Sequence, residues 1–278
     1  MSAGFDARRY KALERAGFNR IAARYAEGAR LRRGFDEALL AAAELRPGER
    51  VLDLASGPGV LAHAALASVA PHGRVLATDI AERMLTQARA NTPSDTLLCA
   101  AADAEQLCLG DASVDVALAG LALFMFPHPE RALAELHRVL VPGGRLALSV
   151  WSTRDAVPLI ALAQDSIARV LPPPKVARPS VFRFGDPATL GGLLSDCGFT
   201  AITIRSARIE SHFANAQACW QGFLDLAGGV TEALAKLPDD LHARLQQAMH
   251  DGLAPYRDAL GRGYTLPASV LVASARRP

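Results

Sequence analysis

Short apolar runs alternate with helical segments along residues 51–150, and this alternation constrains the fold more than any other feature of the 278-residue sequence. The apolar runs predict strands at residues 51–55, 74–79, 96–101, 114–118 and 145–150. The segments between them predict helices at residues 59–70, 81–91 and 129–140, and Pro142-Gly143-Gly144 predicts a turn before the last strand. Strands that alternate with helices form βαβ units, so the pattern predicts an α/β fold around a parallel sheet. Ligands of such folds bind beyond the carboxyl ends of the strands.

The segments on either side of this core are predicted to be mostly helical. Apolar side chains recur at intervals of three and four within residues 5–45, which is typical of an amphipathic helix. Beyond residue 152 the pattern predicts a helix at 157–170, an extended piece at 182–184, a helix opened by Asp186-Pro187, strands at 201–208 and 270–275, and a helical insertion at about 214–260. We therefore predict one domain over residues 1–278, made of an N-terminal helical cap (1–47), a ligand-binding core (48–152) and lid segments with the closing strands (153–278).

The composition excludes several classes of protein. Fifty per cent of the residues are hydrophobic and 21% are charged, which is typical of a folded globular protein. The formal net charge of +2 provides no field that would attract nucleic acid, so we expect no nucleic-acid partner. The four cysteines form no C-x-x-C pair, so we expect no metal site. The N-terminus lacks the apolar stretch of a secretory signal, and the apolar, uncharged run at residues 116–127 is shorter than the roughly 20 residues that cross a bilayer. We therefore expect a cytoplasmic protein without an integral membrane segment.

The end of the first predicted strand is the segment most informative about function. It reads Asp53-Leu-Ala-Ser-Gly-Pro-Gly59 and leads directly into a helix. Gly57 and Gly59 permit tight backbone turns and let a ligand approach the main chain closely. With Ala62 they also satisfy the loose G-x-G-x-x-G/A pattern of dinucleotide-binding proteins, and Asp79 ends the second strand, where it can accept hydrogen bonds from a ribose. Two cofactor classes fit this segment: a nicotinamide or flavin dinucleotide, and S-adenosylmethionine.

Three acids favour the second class. Asp53 lies inside the first strand, Asp79 ends the second and Asp103 follows the third. A pyrophosphate beside Asp53 would be repelled, whereas the sulfonium and ammonium groups of S-adenosylmethionine would be attracted. Asp103 can accept a hydrogen bond from the exocyclic amine of adenine. Three carboxylates at the carboxyl ends of three successive strands therefore suit a cationic adenosine cofactor.

In order and spacing, these motifs resemble the class I S-adenosylmethionine-dependent methyltransferases. The branch that the sequence resembles is the ubiquinone/menaquinone-biosynthesis type, also described as methyltransferase domain 11/25-like. The similarity is dense from about residue 48 to 152 and loose beyond it. The motifs that carry it are Asp53 to Gly59, Ala77 to Ile80 with Met84, Ala102 to Ala104, Phe126-Pro127, and Arg138 to Arg145.

The resemblance implies a Rossmann-like, seven-stranded and mostly parallel sheet with helices on both faces and the last strand antiparallel. To this the chain adds N-terminal helices and a helical lid insertion. The implied cofactor is S-adenosylmethionine, and the implied product is S-adenosylhomocysteine. The residues that it assigns to cofactor binding are Asp53, Ala55, Ser56, Gly57, Gly59, Asp79, Ile80, Met84, Ala102, Asp103, Ala104, Gly120 and Leu121.

By the same resemblance each part of the cofactor has its own contacts. Asp53 would hold the ammonium group, and the main chain from Ala55 to Gly59 would face the methionine part. Asp79 would bind both ribose hydroxyls, with the adenine between Ile80 and Met84. The residues expected at the adenine edge are Ala102, Asp103 and Ala104, and those expected at the sulfonium are Gly120 and Leu121.

The acceptor side is less defined by the sequence, because methyl transfer depends on alignment and desolvation of the reactants more than on a fixed set of catalytic groups. His128, near the carboxyl end of the fourth strand, is the candidate base for an acceptor that must lose a proton. Aromatic side chains in the covering segments are the candidate acceptor contacts, namely Tyr25, Trp151, Phe182 and Trp220.

The sequence thus predicts an enzyme that transfers a methyl group from S-adenosylmethionine to a small-molecule acceptor, by O- or C-methylation of a quinone, an aromatic or a natural-product-like compound. A protein that binds S-adenosylmethionine without methyl transfer is one alternative, and an NAD(P)-dependent oxidoreductase, which Asp53 disfavours, is another. Residues 119–122 read Ala-Gly-Leu-Ala and lack the Asn-Pro-Pro-Tyr motif of enzymes that methylate amino groups on nucleic acids. The identity of the acceptor and the oligomeric state, a homodimer included, are left open by the sequence.

Overall fold

The computed structural model describes residues 5–91, 97–174, 176–259 and 261–278. Within these residues the strands form one seven-stranded sheet in the order β3-β2-β1-β4-β5-β7-β6. All neighbouring strands pair in parallel except β7, which is antiparallel to both β5 and β6. The strands are β1 (Arg50–Leu54), β2 (Arg74–Asp79), β3 (Leu97–Ala101), β4 (Val114–Gly120), β5 (Leu140–Trp151), β6 (Thr200–Phe213) and β7 (Tyr264–Arg276). The predicted Rossmann-like sheet with an antiparallel last strand is confirmed.

The helices precede the sheet, connect its strands and fill the insertion between β6 and β7. They are α1 (Ala7–Glu27), α2 (Arg33–Ala43), α3 (Val60–Val69), α4 (Glu82–Asn91), α5 (Pro129–Val139), α6 (Pro158–Val170), α7 (Pro187–Asp196), α8 (Ala216–Leu224), α9 (Gly228–Leu234) and α10 (Asp239–Gly252). Several begin where a short polar side chain caps free backbone N–H groups. Asp6 accepts a hydrogen bond from the Arg9 N–H at 3.0 Å, and Asp186 accepts one from Thr189 at 2.8 Å. None of the helices in the described ranges is long and apolar enough to cross a membrane.

The segment Pro142-Gly143-Gly144 differs from its prediction. It lies inside the long strand β5 instead of forming a separate turn, and the β4–β5 register shifts between Val114 and Val116. Gly143 adopts a φ of +76°, and its N–H donates to the Arg277 carbonyl at 2.8 Å. The strand continues through this irregularity because the end of the chain supplies hydrogen-bond partners that the local sequence does not reveal.

Two smaller predictions also differ in detail. Residues 182–184 form turns instead of an extended piece, since the Arg183 N–H donates to the Ser180 carbonyl and the Gly185 N–H donates to the Phe182 carbonyl. The predicted strand 96–101 is observed from Leu97, and residue 96 lies outside the described residues.

The central strands supply the core and locate the crevice. Leu52, Val116 and Leu118 are buried among helices from both faces of the sheet. The strand order reverses between β1 and β4, because the chain runs outward from β1 to β3 and then returns to the other side of β1. Such a reversal opens a crevice at the carboxyl ends of the two strands, which is where ligands of open α/β sheets bind. Helix α1 lies over this end and packs against α4 on one side and α9 on the other.

Candidate functional site

A cleft with about 800 Å³ of empty space, its mouth included, lies at the carboxyl ends of β1 to β4 beneath α1. Its walls are mainly apolar, and a few acidic groups point into it. The side chains and backbone that line it are those of Tyr10, Lys11, Glu14, Phe18, Tyr25, Leu54, Ala55, Gly57, Asp79, Ile80, Met84, Ala102, Asp103, Ala104, Gly120, Leu121, Ala122, Met125, Phe126 and Pro127.

The backbone at this end of the sheet adopts left-handed conformations where β1 and β4 end. Gly57 (φ +54°) and Gly59 (φ +82°) form the turn between β1 and α3, as glycine permits. Ala55 (φ +52°) and Leu121 (φ +50°) adopt similar angles without being glycine, and both line the cleft. Such angles cost free energy in ordinary residues and cluster at functional sites. The strain on both sides of the crevice therefore supports a ligand-binding role for the two loops.

Asp79 connects the glycine turn to the second strand. Its Oδ2 accepts a hydrogen bond from the Gly57 N–H at 2.9 Å, and its Oδ1 accepts one from the Ala81 N–H at 2.8 Å. Burial raises the pKa of Asp79 to about 6, although these backbone donors oppose the shift. The carboxylate is therefore held in a fixed orientation in the cleft, where its remaining lone pairs can accept hydrogen bonds from ligand hydroxyls.

Asp103, after β3, is engaged by the N-terminal helix. The Lys11 ammonium lies 2.7 Å from Asp103 Oδ2 and 2.7 Å from Glu105 Oε2. Asp103 Oδ1 also accepts the Glu105 N–H at 3.0 Å. The same oxygen accepts a second hydrogen bond from Lys11 at 3.0 Å, so three donors reach this carboxylate. A carboxylate offers about four acceptor positions, so one remains for an amine of a ligand. Lys11 thus holds α1 against the part of the cleft that the resemblance assigns to adenine.

Asp53 is fully buried next to the cleft, with both carboxylate oxygens unpartnered among the described residues. Burial, with a smaller contribution from nearby Asp36, raises the pKa of Asp53 well above its usual range. Ser56 Oγ and Arg32 Nη1 are also buried without a partner in the described part of the chain. The Arg32 guanidinium stacks on the Tyr25 ring at 4.1 Å, and that ring lines the cleft.

These unpartnered groups test whether the residues present fit S-adenosylmethionine. Buried polar atoms are normally hydrogen-bonded, so each one needs a ligand or a water. The amino-acid end of the cofactor carries an ammonium, which suits Asp53, and a carboxylate, which suits Arg32. The adenosine end carries two hydroxyls and an amine, which suit Asp79 and Asp103. The residues present therefore fit the cofactor at both ends.

The structure brings most of the predicted cofactor residues to one cleft. Asp53, Ser56 and Gly59 do not line it, but they belong to β1 and the turn that does. Tyr25, a predicted acceptor contact, also lines the cleft.

The other predicted acceptor contacts lie elsewhere. Trp151 packs edge-on against the Phe35 ring, and Trp220 packs beside Phe223. Phe182 lies 5.9 Å from the Arg154 guanidinium. Within the described residues, none of these three aromatic side chains lines the cleft.

His128 precedes α5 at the edge of the cleft. The backbone N–H of His128 donates to Glu105 Oε1 at 2.9 Å, and the ring Nδ1 lies 3.6 Å from Glu130 Oε1. The cleft wall in the described part of the chain includes the preceding Pro127 but not His128. A catalytic role for His128 stays a prediction.

The sequence did not point to Tyr10, Lys11 or Glu14, which line the cleft from the first half of α1. A signal was available: Tyr10, Glu14 and Phe18 follow one another at intervals of four and so share a helix face. The middle of these is a glutamate with only 6% of its surface exposed. A carboxylate on the apolar face of a helix indicates a polar role inside the fold.

Replacement of Asp36 by asparagine should stabilise the ligand-free protein near neutral pH. Burial raises the pKa of Asp36 to about 6, so the folded state binds this proton more tightly than the unfolded state. The stabilising contribution is complete below the unfolded pKa and is lost as the pH rises through about 6. Asp36→Asn removes that loss, so we expect a gain of about 1–2 kcal/mol in the free energy of unfolding at about pH 7.5 and little change at about pH 3.5, below the unfolded pKa. Urea titrations at the two pH values measure it, and an equal gain at both would contradict the assignment.

Comparisons with known proteins identify the family of the chain. Residues 52–148 match a family profile described as a methyltransferase domain. The ubiquinone/menaquinone biosynthesis C-methyltransferase UbiE of Bordetella parapertussis is 35% identical over 203 residues, which cover 66% of this chain and 78% of that protein. Neither of the two alternative functions finds support in these similarities.

Solved structures share the fold. The YcgJ protein from Bacillus subtilis has a TM-score of 0.60 at 17% identity, covering 87% of this chain and 97% of its own. Phosphoethanolamine N-methyltransferase 2 of Haemonchus contortus, in complex with phosphomonomethylethanolamine and S-adenosylhomocysteine, has a TM-score of 0.54 at 16% identity, covering 87% of this chain and 52% of its own. At these identities the two structures establish the fold alone. Together with the similarity to UbiE, the findings show that the chain belongs to the class I S-adenosylmethionine-dependent methyltransferases, in the ubiquinone/menaquinone-biosynthesis-type branch, which transfer a methyl group to a small-molecule acceptor.

Proposed function

We propose that this methyltransferase acts on an aromatic or quinone-type ring, at carbon or oxygen, with the acceptor bound between α1 and the loop after β4. The observation that carries the proposal is the division of the cleft into two parts. The acidic groups of the adenosine side lie at the ends of β2 and β3, whereas the loop beyond Leu121 contributes Ala122, Met125 and Phe126 to the lining. An apolar wall next to the sulfonium position suits a flat apolar acceptor. The name of the UbiE relative, a C-methyltransferase of quinone biosynthesis, agrees with such an acceptor.

In this proposal the cofactor contacts are those of the resemblance. Asp79 holds the ribose, Asp103 and Ala104 bind the adenine edge, and Asp53 faces the ammonium group. Support comes from the fixed orientation of Asp79 and the unpartnered oxygens of Asp53. Arg32 binds the carboxylate of the cofactor in this proposal, since its Nη1 is buried without a partner among the described residues.

S-adenosylmethionine supplies an activated methyl group when it is bound. The protein then has to align the acceptor with that group and exclude water. The rings of Phe18 and Tyr25, packed edge to face at 5.8 Å, cover the cleft from α1. Arg183 holds the opposite wall, since its guanidinium donates to the carbonyls of Leu123 and Phe126. Both walls are thereby fixed before the acceptor binds.

The remaining expectations are part of the same proposal. Residues 1–47 act as a cap and residues 153–278 supply lid segments around a single domain. The protein works in the cytoplasm, uses no nucleic-acid substrate, and its self-association into a dimer is open to test by sedimentation.

Calorimetric titration with S-adenosylmethionine, S-adenosylhomocysteine and NADH tests the cofactor side. We expect micromolar binding of both adenosyl ligands and none of NADH. The acceptor side is tested by incubating the enzyme and S-adenosylmethionine with a panel of phenols, hydroquinones, amines and carboxylic acids, and scoring methylated products by mass spectrometry. Products confined to the amines or acids would contradict the proposed acceptor class.

A further inference from the structure

The cleft contains two polar side chains that the cofactor contacts do not use. One of them, Tyr10, lies near Arg183, which donates to carbonyls of the loop after β4. Tyr10 and Glu14 lie one helical turn apart on α1, and both line the cleft. Only 3% of Tyr10 and 6% of Glu14 is exposed. Both are therefore buried in an otherwise apolar region, where a polar group without a partner is costly.

Glu14 is held in place by the segment that follows α6 and by α9. Arg178 forms an ion pair with Glu14 Oε1, and the Gly229 backbone lies so close that a Cβ added there would meet the same oxygen. Among the described residues, no side chain donates a hydrogen bond to Glu14 Oε2. Arg178 also lies 5.9 Å from the centre of the Tyr10 ring. The pair Glu14–Arg178 explains the orientation of the carboxylate but uses only one of its oxygens.

Tyr10 has a free hydroxyl. No described residue forms a hydrogen bond with its Oη, and the ring borders the cleft. Burial raises the pKa of Tyr10, with a contribution from Glu14, so the group is a neutral hydroxyl throughout the physiological range. Tyr10 therefore offers a hydrogen-bond donor beside the acceptor oxygen of Glu14.

The charges of Glu14 and Lys11 are paired, since Arg178 balances Glu14 and Lys11 binds Asp103 and Glu105. Arg183, which lies near Tyr10, forms no ion pair among the described residues and donates to the carbonyls of Leu123 and Phe126. A neutral group that both donates and accepts would satisfy both Tyr10 and Glu14. A phenolic hydroxyl does so, since it accepts from Tyr10 and donates to Glu14.

We propose that Tyr10 and Glu14 recognise the hydroxyl of a phenol or hydroquinone acceptor. This inference rests on the proposed function and narrows its acceptor to rings that carry a free hydroxyl. A methyl ether in the same place accepts from Tyr10 but donates no hydrogen bond to Glu14. Sites built to bind a hydroxyl discriminate strongly against analogues without it.

The test measures binding to protein saturated with S-adenosylhomocysteine, using β-naphthol and its methyl ether as probes in calorimetric titrations. We expect β-naphthol to bind at least about tenfold more tightly than the ether. In Tyr10→Phe and in Glu14→Gln this preference should fall to about twofold or less, with the affinity for S-adenosylhomocysteine unchanged. Glu14→Gln weakens the ion pair with Arg178 and can therefore loosen α1. Tyr10→Phe removes no hydrogen bond within the described residues, so its result remains interpretable in that case.

Two control variants make the same substitutions, tyrosine to phenylalanine and glutamate to glutamine, at positions outside the cleft. Tyr264→Phe alters a buried tyrosine of β7, and Glu49→Gln alters a glutamate paired with Arg145 at the other end of the sheet. Both should retain the full preference for the hydroxyl. Equal preference in the parent and Tyr10→Phe, or no binding of β-naphthol to the saturated parent, would overturn the inference and leave cofactor binding intact. Failure of the parent to bind S-adenosylhomocysteine would overturn the proposed function, and this inference with it.

Discussion

Asp79→Ala should reduce the affinity for S-adenosylhomocysteine at least about a hundredfold, or about 3 kcal/mol. The carboxylate has two roles that the substitution removes together. It accepts the N–H groups of Gly57 and Ala81, which orders the turn after β1, and it offers the remaining lone pairs to the ribose hydroxyls. Each lost hydrogen bond to a charged acceptor costs about 1.5–3 kcal/mol. Calorimetric titration of the variant with S-adenosylhomocysteine measures the effect.

Asp115→Ala is the matched control. Asp115 lies near the start of β4, at the end of the strands opposite the cleft, where it pairs with Arg50 at 2.7 Å. Its removal should leave cofactor affinity within about twofold of the parent, because exposed ion pairs contribute at most about 1 kcal/mol and this one lies far from the cleft. Similar losses in the two variants would indicate a general loss of folding and contradict a specific role for Asp79.

Gly17→Ala should destabilise the protein, although alanine is the better helix former. In the interior of a free helix this change would be favourable by up to about 1 kcal/mol. Here a Cβ on Gly17 would lie 2.2 Å from the carbonyl oxygen of Gly228, where α1 crosses the start of α9. The obstacle is backbone and cannot rotate away, so α1 and α9 must separate. We expect a loss of about 2–3 kcal/mol in the free energy of unfolding, within the range for overpacked contacts.

Gly28→Ala provides the comparison. Gly28 ends α1 with right-handed helical angles, and its nearest obstacle is the flexible end of Arg32 at 3.9 Å. This variant should be as stable as the parent or slightly more stable, and urea unfolding of both variants measures the difference. Two variants of equal stability would show that the contact of α1 with α9 is not tight. The contact matters for function because α9 and the Arg178 segment hold Glu14 on the acceptor side.

The parts of the site that the sequence indicated are those encoded locally. The turn after β1 needs residues that tolerate positive φ, and the glycines at positions 57 and 59 predict such a turn from the sequence alone. Asp79 and Asp103 follow apolar runs at the ends of β2 and β3, and parallel strands bring such ends to one edge of the sheet. The family resemblance then assigned these positions to a cofactor.

The parts that the sequence did not indicate depend on distant contacts. Lys11 pairs with Asp103 across 92 residues of chain, and Glu14 pairs with Arg178 across 164. Trp151 and Trp220 were expected to contact the acceptor because aromatic rings suit such a role. In the structure Trp151 packs against Phe35, and Trp220 packs against Phe223. An aromatic ring suits a buried core as well as a binding site, so the sequence could not distinguish the two.

The sequence by itself therefore determined the α/β sheet, its glycine turn and the acidic ends of three strands, because periodicity and backbone preference act over a few residues. Only the tertiary structure decided which side chains close the cleft. Helix α1 reaches Asp103 on one side and α9 on the other, and it thereby places Tyr10 and Glu14 at the wall of the cleft. That placement depends on how helices distant in sequence pack against each other, which no local pattern encodes.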